Sequence, residues 1–415
     1  MKKAGKIIND PVHGFITIPR GLVQDVLDHP YFQRLRRIKQ LGLTDLVYPG
    51  ANHTRFHHAL GAMHLMGLAL ETLRDKGHVL SDEETEAAHL AILLHDIGHG
   101  PFSHALENSI LTDVHHENLS FAFAERLSFL FGGRLDMAIA MFRGDYPRPF
   151  FHQLVSGQLD LDRMDYLRRD CFFTGVAEGA ISAERLLRMI DLHNDELVVE
   201  EKAMYSVENF LSSRRLMYWQ VYLHKTTVSA EEMLIQLMRR ARFLTRQGSV
   251  LEMPSRLQPF MQEALSWERF RADPALLDSF SMLDDYDIWY CIKSWVSNPD
   301  FILRYLARGL MDRRLLKVGI RPDPLPEDEM ERLRDAYRQE LGISPEEVTY
   351  LVFEKEVSNS AYISENNRIN VKFRNGEIRD IAEASDLPNI QAMAALVKKY
   401  IVCQPKNISL RLFPG

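Results

Sequence analysis

Leu93-Leu94-His95-Asp96-Ile97-Gly98-His99-Gly100-Pro101-Phe102-Ser103-His104 decides how the rest of the chain is read. The apolar run Ala87 to Leu94, broken only by His89, has the spacing of a buried helix and delivers His95 and Asp96 side by side at its end. Gly98 and Gly100 let the backbone turn sharply, and Pro101 suits the first turn of a following helix that carries His104. Imidazole and carboxylate are the usual ligands of divalent transition metals. Neighbouring residues on a helix point roughly 100° apart. One ion can therefore take both His95 and Asp96 only if it sits at the helix end.

Working outward, the histidines crowd around this stretch: of 16 in the chain, eleven lie between His53 and His116. Two further ligands are expected from separate helices. One is His58 in Arg55-Phe56-His57-His58, and the other is Asp162 in Leu159-Asp160-Leu161-Asp162-Arg163-Met164-Asp165-Tyr166. Two histidines and two carboxylates leave coordination positions open for water on Mn, Fe, Co, Ni or Zn. A divalent ion held there acidifies water and neutralises a phosphate oxygen. His78, His89 and His193 fall outside any such pattern and read as ordinary hydrogen-bonded histidines.

Beyond the cluster, residues 1–20 read as extended, with turn signals at Asn9-Asp10-Pro11 and His13-Gly14. Helical spacing starts at Leu22 and restarts at Pro30. It predicts helices over 54–75, 82–97, 116–131, 158–170, 182–191 and 206–240, with a short strand at Glu196 to Glu200. After Ser344 the pattern changes: Val348 to Glu354 is rich in β-formers, and Arg368 to Phe373 and Ile378 to Ile381 flank the turn signal Asn375-Gly376. A helix is expected from Ile390 to Lys399. The reading is a mainly α protein: a core over 1–245, a helical extension over 246–343 and a small α+β region over 344–415.

Composition narrows the class. The chain has 415 residues, 46% of them hydrophobic, enough for a large core. Its net charge of -7, from 50 basic and 57 acidic residues, gives no global pull toward nucleic acid or anionic lipid. The basic runs Arg34 to Lys39 and Arg239 to Arg242 then read as solvated helix faces or subunit contacts. Cys171, Cys291 and Cys403 are too scattered for a disulfide framework or a thiolate zinc site. No apolar stretch approaches the ~18 residues of a membrane span, and Met1 to Asp10 lacks the apolar core of a signal peptide. A soluble cytoplasmic protein is expected.

Arg55-Phe56-x-His58, His95-Asp96-x-Gly98-His99-Gly100-Pro101-Phe102-Ser103-His104, His116-Glu117 and Asp160-x-Asp162-Arg163-x-Asp165-Tyr166 together resemble the HD-domain deoxynucleoside triphosphate triphosphohydrolases. The resemblance is to the branch of the human sterile-alpha-motif and HD protein and its bacterial relatives, and it runs from about Lys6 to about Lys225. It implies an HD-domain helical core holding a metal at His58, His95, Asp96 and Asp162. It also implies hydrolysis at the α-phosphorus that yields a deoxynucleoside and inorganic triphosphate, with Mg on the nucleotide phosphates. Arg55, Arg163, Tyr166, Arg214 and Lys225 would then contact the triphosphate, Gln40, Leu41 and Asp170 the sugar, and Tyr222 the deoxyribose wall.

The spacing fits those roles. Asp162, Tyr166 and Asp170 recur at i, i+4 and i+8, as do Arg214, Tyr218 and Tyr222. His104 and Glu107 stand at i, i+3, so the carboxylate could orient an imidazole acting as general acid, with His99 and His116 nearby in the same catalytic group. The chain departs from the family pattern in three places: Glu107 stands for an Asp, Arg163 for a Lys and Tyr218 for a His.

The resemblance further implies a guanine-nucleotide activator bound between subunits by Lys6, Asn9, Asp28, Gln33 and Arg36, and a homo-oligomer, dimer or tetramer. Two other readings compete. One is another HD phosphohydrolase, a nucleotidase or phosphodiesterase: His115-His116-Glu117 echoes a cyclic-dinucleotide phosphodiesterase motif but lacks the Gly-Tyr-Pro that follows it there. The other is a catalytically silent nucleotide-sensing assembly protein.

Overall fold

The elements follow from where apolar residues recur and where capping residues interrupt them. In the computed structural model, residues 5–107, 114–263, 265–359, 368–386 and 397–406 are described. The chain opens with an antiparallel hairpin of β1 (Lys6–Asp10) and β2 (Gly14–Ile18), in register from Lys6 opposite Ile18 to Asp10 opposite Gly14. Asp10 shapes the turn by accepting the amides of Val12 and His13, both at 2.9 Å. Period-two alternation puts Ile16 and Ile18 in the core and leaves Ile7, Asn9, Phe15 and Thr17 on the exposed face. As expected, Pro30 divides the next segment, into helices Leu22–Asp28 and Pro30–Gln33.

Three helices form the centre. The Arg55–Asp75 helix packs against both Asp82–Leu94 and Leu161–Thr174. The Asp82–Leu94 helix starts in a reciprocal capping box: Ser81 Oγ accepts the Glu84 amide at 3.0 Å, and Glu84 accepts the Ser81 amide at 2.9 Å. Such a cap contributes about 1 kcal/mol. It leaves Leu90 to Leu94 fully buried and places His95 at the helix end. The Leu161–Thr174 helix starts at Asp160, whose carboxylate accepts the Arg163 amide at 2.7 Å, and stops at Gly175 in the left-handed conformation, φ +75°.

The expected helix over 206–240 is not continuous. It runs Met204–Met217, passes through a π-helical turn at Tyr218–Tyr222, and restarts as Lys225–Arg246 with His224 as its N-cap. Arg214, Tyr218 and Tyr222 therefore do not form a straight i+4 ladder, because each π turn takes up an extra residue.

Two strands of 344–415 pair with strands from earlier in the chain. β3 (Ile190–His193) and β4 (Glu196–Glu200) form a hairpin, and β7 (Asn370–Lys372) adds to β4 in parallel, followed by β8 (Ile378–Asp380). The Asn375-Gly376 turn between β7 and β8 is as expected, with Gly376 at φ +85°. β9 (Val397–Gln404) lies between β5 (Lys317–Arg321) and β6 (Phe353–Asn359), antiparallel to both. Val397 to Lys399, expected at the end of a helix, are therefore strand; the earlier part of that expectation, residues 390–396, lies outside the described residues. The β-former stretch at Val348 also begins differently, as a helical turn Pro345–Val348 before β6. Among the described residues no helix is long and apolar enough to cross a membrane.

Candidate metal and substrate site

Four side chains from three helices converge. His58 Nε2 lies 3.0 Å and His95 Nε2 3.3 Å from Asp162 Oδ1. Asp96 closes the group, with its carboxylate oxygens 3.8 Å from His58 Nε2 and 3.6 Å from His95 Nε2. The ring orientations are set from behind. His95 Nδ1–H donates to the Ile92 carbonyl at 2.6 Å, and His58 Nδ1–H donates to Asp165 at 2.8 Å. Each Nε2 thus turns a lone pair toward the same point. Both Nε2 atoms are buried and neither makes a well-directed hydrogen bond. Buried lone pairs facing a carboxylate oxygen repel one another unless a proton or a cation lies between them. His58, His95 and Asp162 form a group that could hold a metal ion, and the donor set fits a divalent one.

The electrostatics agree. Burial opposes a charge on His58, yet the carboxylates of Asp162 and Asp165 beside it raise it to about 10. His95 is also raised, against burial, chiefly by Asp96 and Asp162. Burial favours a neutral Asp162, but the two imidazoles hold it well below the carboxylate range.

Asp165 is the support behind this centre. Its carboxylate also accepts His13 Nε2 at 2.6 Å, Arg169 Nε at 2.9 Å and Arg169 Nη2 at 3.0 Å, and Arg169 continues to Asp10 at 2.8 Å. Asp165 and Arg169 are 0% exposed. Room for them comes from Gly61 on the facing helix, where a Cβ would lie 1.9 Å from Asp165 Oδ1 and 2.3 Å from Arg169 Nη2. The sequence shows Asp165 within its motif and Asp10 and His13 as turn signals, but not this role, and no motif singles out Arg169. The available signals were the i, i+4 spacing of Asp165 and Arg169 and a glycine inside an apolar helix.

A second group borders the first. Asp96, His99 and His116 bring ligand atoms within 4.8 Å of one another, and the His99 and His116 rings stack at 3.9 Å. Against burial, Arg55 and His95 keep Asp96 ionised and His99 hydrogen-bonds to it, while burial and Arg55 keep His99 neutral. Arg55 is itself buried, bonded to Asp96 and, at 2.7 Å, to Ser103 Oγ. Glu107 accepts both the amide and Nδ1 of His116, at 2.7 and 2.8 Å, and so caps the His116–Leu130 helix. The His104 side chain lies outside the described residues, and with it the expected contact between His104 and Glu107.

On the other side, Asp170 accepts His53 Nε2 at 2.7 Å and the Tyr222 hydroxyl at 2.8 Å. Despite the π turn, Tyr222 faces Tyr166 with ring centroids 6.2 Å apart, and Tyr166 lies 6.5 Å from His58. Arg163 bonds Asp160 and the Gly157 carbonyl, and Arg214 reaches Gln158 at 3.2 Å. Burial raises Asp160 to about 7, with Arg163 opposing and Asp162 reinforcing the shift. Gln40 Oε1 is buried without a hydrogen-bond partner, Leu41 is half-buried and Lys225 is exposed.

The expected activator residues fall into neighbouring pairs. Lys6 Nζ is 3.8 Å from Asp28, and Arg36 donates to Gln33 at 2.8 Å while its guanidinium lies 3.6 Å over Phe56. Asn9 sits on the exposed hairpin face between Ile7 and Phe15.

A helical frame with a His-Asp pair at one helix end, met by His58 and Asp162 from two others, defines a domain of the HD type. Residues 55–170 match the HD domain and residues 181–250 the HD associated region. The solved structure of a phosphohydrolase from Bacteroides thetaiotaomicron is similar with a TM-score of 0.93 at 48% identity, covering 97% of this chain and 100% of that one. YwfO of Bacillus subtilis, an uncharacterized protein, is 34% identical over 319 residues, 75% of this chain and 71% of its own length. The deoxynucleoside triphosphate triphosphohydrolase SAMHD1 homolog of Dictyostelium discoideum is 29% identical over 272 residues, and the chain spans 52% of that relative. The chain belongs to the HD-domain phosphohydrolases.

Two predictions follow from the centre. Asp165→Asn leaves one acceptor oxygen where His58, His13 and Arg169 fill two, so it loosens His58 and lowers metal affinity by about 10–100-fold, measured by competition with a chelator. Because His58 is protonated up to about pH 10 in the metal-free protein, metal binding at neutral pH must release protons, and affinity rises with pH. Calorimetry in buffers of different ionisation enthalpy reads the release; no buffer dependence contradicts it.

Proposed function

We propose that the protein is a metal-dependent deoxynucleoside triphosphate triphosphohydrolase. What carries the reading is the row of side chains from the His58, His95, Asp96 and Asp162 group, across Tyr166, to the Tyr222–Asp170 pair, with Arg163 and Arg214 alongside. That order suits the reacting phosphate, the rest of the triphosphate and the sugar in turn. A relative bearing the name of this activity supports it.

The bound ion, Mn, Fe, Co, Ni or Zn, would acidify water and neutralise charge on phosphate, with Mg on the nucleotide phosphates. The chain's own residues do the rest. Arg55, Arg163, Arg214 and Lys225 bind the triphosphate, with Arg55 passing from Asp96 to phosphate. Gln40, Leu41 and Asp170 hold the sugar. Tyr222, pinned by its hydroxyl to Asp170, walls the deoxyribose and excludes a 2′-hydroxyl. His104, with Glu107, His99 and His116, delivers the proton to the departing 5′-oxygen.

The test is product analysis with the four deoxynucleoside triphosphates and metal-replete protein. Inorganic triphosphate is expected. Pyrophosphate or orthophosphate instead assigns the chain to another HD phosphohydrolase, a nucleotidase or phosphodiesterase, and no hydrolysis assigns it to nucleotide sensing. Tyr222→Ala raises the ribo- to deoxynucleotide ratio of kcat/KM by about tenfold or more, the scale of a lost steric sieve.

We further propose a guanine-nucleotide activator at a contact between subunits of a homo-oligomer. Asp28 accepts the guanine N1–H and amine, Arg36 donates to O6 and N7, and Lys6, Asn9 and Gln33 complete the site. Support comes from the approach of Lys6 to Asp28 and from the apolar exposure of Ile7 and Phe15 beside Asn9. Addition of GTP or dGTP is expected to raise dATP or dCTP hydrolysis roughly 5–150-fold and to shift the protein toward its largest assembly, dimer to tetramer. Asp28→Ala abolishes the effect and keeps the metal. Equal rates and an unchanged mass across a wide nucleotide range reject it.

A further inference from the structure

The Asp285–Trp295 helix lies outside both segments that match the HD family, yet its first residue reaches the site loop. Its cap is supplied by others: Asp284 accepts the Tyr286 amide at 3.0 Å, and Asp287 accepts the Asp284 amide at 2.9 Å. The Asp285 carboxylate is therefore spare for a different task. One oxygen accepts the Phe102 amide at 2.7 Å and the other accepts the Lys39 amide at 2.9 Å. Asp285 is 4% exposed.

Both partners matter to the site. Phe102 and Ser103 follow the His99-bearing turn at φ +55° and +54°, a left-handed backbone that non-glycine residues keep only where surroundings enforce it. Lys39 precedes Gln40 and Leu41. Its carbonyl accepts Ser103 Oγ at 2.9 Å, and Ser103 in turn accepts Arg55, which holds Asp96. From the far side Arg37 pairs with Asp284. Asp285 thus closes a ring that sets the 39–41 segment against the 99–103 turn.

We infer that Asp285 is a positioning residue of the hydrolytic reaction, acting through the Lys39 and Phe102 amides. Its kinetic consequence rests on the proposed substrate; its structural consequence does not. An asparagine keeps the shape but offers one acceptor oxygen to two amides, so one N–H must face an amine.

The full-length Asp285→Asn and Asp285→Glu variants are compared with Asp287→Asn, which weakens the same helix cap without touching the loop. Hydrogen exchange of peptides covering 36–41 and 100–103, bound metal, and kcat and KM on the deoxynucleoside triphosphate turned over fastest are measured. Asp285→Asn is expected to lose protection about tenfold or more at both segments. It should retain metal and lower kcat about 10–100-fold, with KM little changed. Asp285→Glu recovers part of the loss, and Asp287→Asn shows neither effect. Unchanged exchange, unchanged kcat, loss of metal, or an equal kcat loss in Asp287→Asn overturns the inference. If the wild type turns over no deoxynucleoside triphosphate, the substrate reading fails and exchange alone decides the positioning role. If Asp285→Asn does not fold, Asp285→Glu is judged by the same exchange and kcat criteria against wild type.

Discussion

A buried carboxylate that must be satisfied organises this protein. Stripped of water, the charge of Asp165 would cost several kcal/mol, and that cost is offset only when both oxygens are filled with good geometry. They are filled by His58, His13 and Arg169, which belong to the central helix, the N-terminal hairpin turn and the Asp165 helix itself. Asp10 completes the arrangement by taking the other side of Arg169. The hairpin that carries the proposed activator contacts and the helix that carries His58, a candidate metal ligand, are thus joined through a single side chain. Neither can shift far without leaving a charge unpaired.

The centre also divides its groups by environment. His58 and His95 hold protons strongly, Asp162 and Asp96 hold them weakly, and His99, facing Arg55, stays neutral. A site in which neighbouring groups are pushed apart in this way can assign separate tasks to chemically identical side chains.

How much of this could be read in the sequence depended on whether a residue's role is local. His95-Asp96 at an apolar helix end, with His58 and Asp162 in their motifs, is a local signature, and the three helices and the Asn375-Gly376 turn follow from periodicity and capping. Asp165 and Arg169 look like any i, i+4 ion pair until Gly61 is seen opposite them. Glu107 was matched to His104 by spacing, whereas its described contact is with His116, nine residues on and across a turn. The π turn at Tyr218–Tyr222 has no composition of its own, so the tyrosine ladder was drawn too straight. Val397-Lys398-Lys399 tolerates helix or strand, and pairing with β6 decides for strand. Asp285 is invisible for the same reason: its partners Lys39 and Phe102 are 246 and 183 residues away.

The parallel pairing of β4 with β7 has a consequence for how the chain is made. Val198, Val199 and Glu200 wait for Asn370, Val371 and Lys372, with the whole of 246–343 in between. During synthesis the N-terminal core therefore leaves the ribosome with an open sheet edge, a natural template for pairing with another nascent chain. Closing that edge is a late, long-range step, of the kind that slows folding relative to the local helical contacts of the core.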